Sequence, residues 1–581
     1  MPPLPRKQEE HDGRSCRQDG EGNMEQVKES TLNPKVSEWE IWHTYSTYLR
    51  TTNIDLEVVA RRLVESGIAL CAVLRDGKTF WSSGTQLGSG ITEVRLDPYE
   101  TRATINFNPD AGCEVKLDGF ALEAWNQASR FRFGEQRVLG KEGGLPPPYL
   151  RAYLGQCNLV SEPDSKSKVR LYPVLLIYES GVVLLELRTI SPAAPQRLSD
   201  FISNAVNLFR HPFEQLEVSP GIVRLATRAY YHSYRGWTLP YRLALIWLER
   251  GHDKAVRQLA RSHEEGDFSF DLAPLSSAKG GVQYENLSTF ALTVFHTVAF
   301  VIGQPRLGLA FLLWGQKKTP ALGGFWSGRP HVYLVRFERQ CETASENERR
   351  FGAAFGSILL RVFSKDAAVA RSALPEDSRL FEDFNSYITS AVTLWVWSKK
   401  GLRGQKAWAD PNRGHLIYEH QAIVELLEYG YMLHRSLLEH AEGYDNATEV
   451  FAAQRALLKL QQQMSEASHS GEIRNLLSRG WSALNLPELR NLIQGALSLR
   501  KAETSAAEAR TTTRLGQALT VLFGLVAVPS LAEQVIQPLW QLIEIPYPTD
   551  LAMFKTIANI ISICGVGLIV FILMRRLGLR Q

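Results

Sequence analysis

Apolar and polar positions along the chain divide it into stretches of different period. The first 36 residues are polar, without an apolar run, and read as a disordered leader with no secretory h-region. From Gly67 the pattern becomes strand-like. GIALCAVLRDGKTFWSS sets Asp76-Gly77 between two apolar runs, a hairpin signal. Alternation continues through EVRLDPYETRATINFNPDAGCEVKLDG, and GKEGGLPPPYL, from Gly140, ends it as a loop. A second hairpin is expected in VRLYPVLLIYESGVVLLELRTIS, turning at Glu179-Ser180-Gly181, its unbroken apolar runs suiting strands buried on both faces.

After Ser191 the period lengthens to that of helices. LSDFISNAVNLFR opens with Ser199 or Asp200 as a cap, and helical spacing recurs in LPYRLALIWLERGHDKAVRQLARSH and FEDFNSYITSAVTLWVWSKK. Leu287 to Pro305 is uncharged and reads as a buried core helix. A long helix is expected from His415 to His440, then VFAAQRALLKLQQQM, then LPELRNLIQGALSLRKAETSAAEARTTTRLGQ as a stem.

Two segments near the C-terminus are apolar for long enough to suggest a membrane. Residues 515–532 and 556–574 carry no charge, and about 20 helical residues cross the ~30 Å hydrocarbon core. Arg500, Lys501, Arg510 and Arg514 precede the first, and Arg575, Arg576 and Arg580 follow the second. Between them stand Glu533, Glu544 and Asp550, with Lys555 at the edge. The positive-inside rule then expects both termini in the cytoplasm and an acidic loop outside.

The fold class expected is an α+β cytoplasmic region, strand-rich N-terminally and helical C-terminally, followed by a long stem helix and a two-helix transmembrane hairpin. The domains would be a leader (1–36), a strand-rich α/β domain (37–197), a mostly helical domain (198–410), long helices and stem (411–514) and the two-span domain (515–581).

Composition narrows the chemistry. The 65 basic and 61 acidic residues of this 581-residue chain leave +4, too little to argue for a nucleic-acid partner. Six cysteines, at 16, 71, 113, 157, 341 and 564, form no CxxC pair, which excludes a zinc ribbon or a dense disulfide framework and suits a reducing compartment. GxSxG and GxxxxGK[ST] do not occur. The helix 415–440 concentrates His415, Glu419, His420, Glu425, Glu428, His434, Glu439 and His440. These close no metal-binding i, i+3/i+4 set and no HExxH, so a solvated face with core histidines is expected. His252-Asp253 is a lone pair, and no motif declares an active site.

Thr513, Gln517, Thr520 and Gly524 share one helical stripe. Such a stripe serves close helix packing or lines a pore. Asn559 and Ser562, three apart in the second segment, invite a partner helix, and Glu533, Glu544 and Asp550 would ring a pore mouth in an oligomer. From Leu486 to Gln581 the organisation resembles the CorA-type divalent-metal transporters, two-span GxN proteins with a cytoplasmic α/β domain, a stem helix continuing as the first span, and a basic tail. The chain departs from them in having VPSLAEQVIQPLW where Gly-Met-Asn would stand. The resemblance implies a homo-oligomer, five-fold in that family, in a bacterial inner membrane. It also implies a divalent cation such as magnesium as cargo, and pore-lining roles for the Thr513 stripe. The function expected is therefore a cation channel or transporter gated by its cytoplasmic region. The alternative is a membrane-anchored signalling or defence effector whose cytoplasmic domain binds a nucleotide or protein partner without conducting ions.

Overall fold

A computed structural model describes most of residues 32–226, then 287–303, 320–407, most of 414–466, 471–531 and parts of 534–568. The leader to residue 31, the GKEGG loop and the 239–263 segment with His252-Asp253 lie outside the described residues.

One sheet of 14 strands organises the larger of two compact units, residues 1–439 with 455–493. Its strands are β1 (Lys35–Tyr48), β2 (Ala69–Leu74), β3 (Lys78–Ser83), β4 (Gln86–Leu96), β5 (Ala103–Pro109), β6 (Tyr149–Leu154) and β7 (Cys157–Val160). They continue as β8 (Lys168–Tyr178), β9 (Val182–Ile190), β10 (Gln196–Arg197), β11 (Gln215–Glu217), β12 (Trp326–Phe337), β13 (Phe384–Ile388) and β14 (Thr393–Trp397). The spatial order is β13-β14-β12-β1-β9-β8-β6-β2-β3-β4-β5. Neighbours are antiparallel except β12 and β14. The Asp76-Gly77 turn closes β2 on β3 with Gly77 at φ 97°, and Glu179-Ser180-Gly181 closes β8 on β9 with Gly181 at φ 94°. Both turns need the left-handed backbone that glycine adopts without strain.

The expected segregation of strands before helices is corrected. FNSYI and TLWVW, which carry helical spacing in the sequence, are strands β13 and β14, and β12 pairs with β1 some 290 residues earlier in the chain. The short helix Leu198–Phe201 also starts earlier than its expected Ser199 or Asp200 cap, with Arg197 at the cap position and no side-chain bond there.

Helices pack on the two faces of the sheet. The helices of the chain include α1 (Leu56–Glu65), α2 (Gly119–Leu139), α3 (Leu287–Gly303), α4 (Ala344–Leu360), α5 (Ala367–Ser372), α6 (Lys399–Ala407), α7 (Gly414–Ala441), α8 (Ala447–Glu466), α9 (Gly471–Ala483) and α10 (Leu486–Leu531), the last lying mostly in the second unit. Because side chains alternate along a strand, each strand sends one set of residues to each face. On one face Leu175, Ile177, Val183, Leu185 and Leu187 join α1 and α3 in an apolar core, and Ile41, Val332, Leu334, Leu394 and Val396 join α4 in another. The Leu287 segment is buried as expected. Asp55 caps α1, its carboxylate accepting the Val58 N–H at 3.1 Å, a contribution of about 1 kcal/mol.

The second unit comprises residues 440–454 and 494–581. The stem is one helix with the segment after it: α10 runs 46 residues unbroken from Leu486 to Leu531, about 70 Å at the helical rise. Among the described residues no helix is long and apolar enough to cross a membrane. The expected transmembrane hairpin is thereby corrected, and with it the transmembrane and inner-membrane ion-transport labels built on that hairpin. The apolar part of α10 is diluted by Gln517, Thr520 and Pro529 and shares its helix with Arg500, Lys501, Arg510 and Arg514. In the second apolar segment the described residues, 556–561, 563–565 and 568, are helical.

Candidate functional site

The other face of the sheet is built differently. It faces α7, whose Tyr418, Gln421, Glu425 and Glu428 repeat at three- and four-residue spacing and so form one stripe. The solvated face expected for this helix is instead buried: Glu425 is 4% exposed and Glu428 is fully enclosed. Opposite them the strands present Arg151, Glu186, Arg329, His331 and Tyr333, all at most 2% exposed.

Buried charges require partners, and here the partners form a connected layer. The guanidinium of Arg151 bonds the Glu425 carboxylate and lies 3.7 Å from Glu186. Gln421 donates to Glu186 at 2.6 Å and accepts from the Tyr333 hydroxyl at 2.8 Å. Arg329 pairs with Glu428 at 2.7 Å and donates to the Thr389 carbonyl at 2.6 Å. Arg151 also lies 3.3 Å over the Phe131 ring of α2, a cation–π contact.

Three carboxyls thus share two guanidinium groups. Burial, with Glu186 beside it, pushes the Glu425 carboxyl well above the usual range, although Arg151 pulls the other way. Burial likewise raises Glu186 and Glu428. Burial lowers the His420 imidazole to about 3. Its ring is stacked 4.8 Å from Trp395 at 14° between planes, so it sits in the fold as a neutral aromatic.

Toward α2 this polar face opens into a cavity of about 840 Å³, within the size range of small-molecule sites. Its walls carry the rings of Tyr153, Tyr172 and Tyr418, the guanidinium groups of Arg130 and Arg188, and polar Gln127 and Glu123. Arg188 is locked in a fork by Glu40, at 2.6 and 3.0 Å, and lies between Trp42 and Tyr418, 5.6 and 5.7 Å from the ring centres. Burial disfavours its charge, but Glu40 outweighs that and raises its pKa. Arg130, half-buried on α2, makes no ion pair among the described residues. The cavity therefore combines an aromatic wall with an arginine that makes no ion pair among the described residues.

The residues singled out from the sequence lie elsewhere. Thr513 and Thr520 are exposed on α10, and their hydroxyls donate back to the Ala509 and Gly516 carbonyls at 2.8 Å, bonds internal to the helix. Gln517 is half-buried, and Gly524 lies on the same helix. Asn559 is exposed. Glu533, Glu544, Asp550 and Ser562 lie outside the described residues. Among the described residues no cluster of three or more His, Cys, Asp or Glu is arranged to hold a metal.

Sequence reasoning missed Arg151, Glu186, Arg188 and Arg329. The signal was present as charges set singly within apolar strands: YLRAYL, VVLLELRTI and GRPHVYLV. Glu186 and Arg188 stand two apart, which puts both on one face of β9.

Comparison of the chain with family models, with curated proteins and with solved structures finds no match.

Proposed function

We propose that the sheet unit is a binding module for a small anionic molecule with a flat ring, and that a nucleotide is the class that fits. The observation that carries this reading is Arg130, unpaired among the described residues at the wall of a cavity whose other walls are Tyr153, Tyr172 and Tyr418. Tyrosine rings offer stacking surfaces to a base. An arginine fork suits phosphate oxygens, and charge-assisted bonds are the stronger kind. Gln127 and Gln156, also on the wall, supply amide donors and acceptors for the edge of a ring.

This develops the effector alternative in its nucleotide form. Ion conduction needs a continuous path across a bilayer, and among the described residues no helix is long and apolar enough to cross one. The test is calorimetric titration of the full chain with ATP, GTP and their monophosphates, beside the Arg130→Ala variant. The expected result is saturable binding weakened about tenfold or more by the variant, one charge-assisted bond being worth at least ~1.4 kcal/mol. Binding of equal strength in Arg130→Ala, or none to a folded wild type, refutes it.

A further inference from the structure

We propose a second ligand site, for a phosphate-class anion, at the pocket between Phe209, the N-terminal end of β12 and the C-terminus of α4. It shares no lining residue with the cavity under α2 and does not depend on the reading of that cavity. Its volume is about 470 Å³, and its lining includes Arg210, Arg329, Arg361, Trp326 and Ser390, with no carboxylate among the described residues that line it.

Three features make this a built site. First, Arg210 and Arg361 both place their guanidinium carbons over one ring, at 5.3 and 5.1 Å from the centre of Phe209. Two like charges are thus held near one ring, with no carboxylate among the described residues that line the pocket, an arrangement that an anion relieves. Burial and the neighbouring Arg210 both lower the Arg361 pKa, the sign expected of unrelieved repulsion.

Second, Arg361 occupies the left-handed conformation, φ 59° and ψ 24°, at the C-cap of α4. Glycine is the usual residue there, and a long side chain is disfavoured. Asn207 holds that backbone by donating to the Arg361 carbonyl at 2.8 Å. Helix termination alone would favour glycine, so the arginine calls for a use of its side chain.

Third, the charge of the pocket is unbalanced: Arg329, 2% exposed, spends its terminal nitrogens on Glu428 and the Thr389 carbonyl, while Arg210 and Arg361 make no ion pair among the described residues. Three guanidinium groups are set against one carboxylate, Glu428. The resulting excess of two positive charges matches a phosphate dianion and exceeds what a single carboxylate would balance. Trp326, which also lines the pocket, can additionally take the face of a ring attached to that phosphate.

The experiment titrates the full chain with inorganic phosphate and, separately, with phenyl phosphate, in sodium chloride of matched ionic strength. Arg361→Gly is the informative variant, because glycine suits the left-handed cap and keeps the fold. Its melting temperature is expected to equal or exceed that of the wild type while phosphate binding weakens about tenfold or more. Arg210→Gln, on an exposed side chain, is expected to weaken binding in the same direction. Equal affinity for the two probes identifies free phosphate as the ligand; tighter phenyl phosphate identifies a phosphorylated ring compound. Failure of the wild type to bind either probe above the chloride control, or unchanged affinity in Arg361→Gly, overturns the proposal.

Discussion

The two faces of the central sheet come from the same strands and are buried to the same degree, yet they are chemically opposite. Toward α1, α3 and α4 the strands send Leu, Ile and Val. Toward α2 and α7 they send Arg151, Glu186, Arg188, Arg329, His331 and several aromatic rings. An apolar face stabilises by removing area from water, without directional demands. The charged face gains little net stability, since desolvation offsets most of what its ion pairs return. What it supplies is a fixed polar surface beside a cavity. The fold therefore rests mainly on the apolar face, which leaves the charged face available to a ligand.

The largest test of this contrast removes a buried cation. Arg151→Met leaves Glu186 and Glu425 without their shared guanidinium and is expected to cost about 3–5 kcal/mol. Because protonation relieves such a site, the loss should be greater at pH 8 than at pH 5 in urea denaturation. On the opposite face, Leu175→Ala is expected to cost about 2–5 kcal/mol through the cavity it leaves. That loss should be the same at both pH values. Equal pH response in the two variants would erase the distinction drawn between the faces.

An intermediate effect concerns His420. Its folded pKa is lowered from 6.5 to about 3, so the unfolded chain binds the extra proton first. The stability it confers is complete above pH 6.5 and is lost toward pH 3, at about 1.4 kcal/mol per pH unit. His420→Phe, which keeps the stacked ring, should flatten this acid limb in denaturation curves taken between pH 3 and 6.5. An unchanged slope would show that His420 is not buried neutral. The smallest effect lies at the surface, where Arg61 and Glu57 of α1 approach to 3.7 Å and their side chains remain exposed. Arg61→Gln should cost only about 0.2–1 kcal/mol, and less in high salt.

Legibility in the sequence followed the range of the interaction. The Asp76-Gly77 and Glu179-Ser180-Gly181 turns are local, as are the helices α3, α7 and α10, and each could be read from a short window. Strands β13 and β14 could not. Phe384, Tyr387 and Ile388 imitate helical spacing, and only pairing with β14 and, through it, with β12 decides otherwise. The charges of α7 misled for a related reason. A stripe of glutamates reads as solvated unless the arginines opposite are known, and those lie 99 to 274 residues away in the chain. The apolar segments after Leu515 show the reverse error, where composition over a short window outweighed the structure that the described residues adopt.

The nucleotide reading assigns the ligand to the cavity under α2 on the charged face and gives α1 and α3 no part in it. Its decisive test is amide hydrogen exchange of the full chain, with and without saturating ATP. Slowed exchange in α2 and the first turns of α7, with α1 and α3 unchanged, is the predicted result. Slowing confined to α1 and α3, or no change in α2 at any nucleotide concentration, would contradict it.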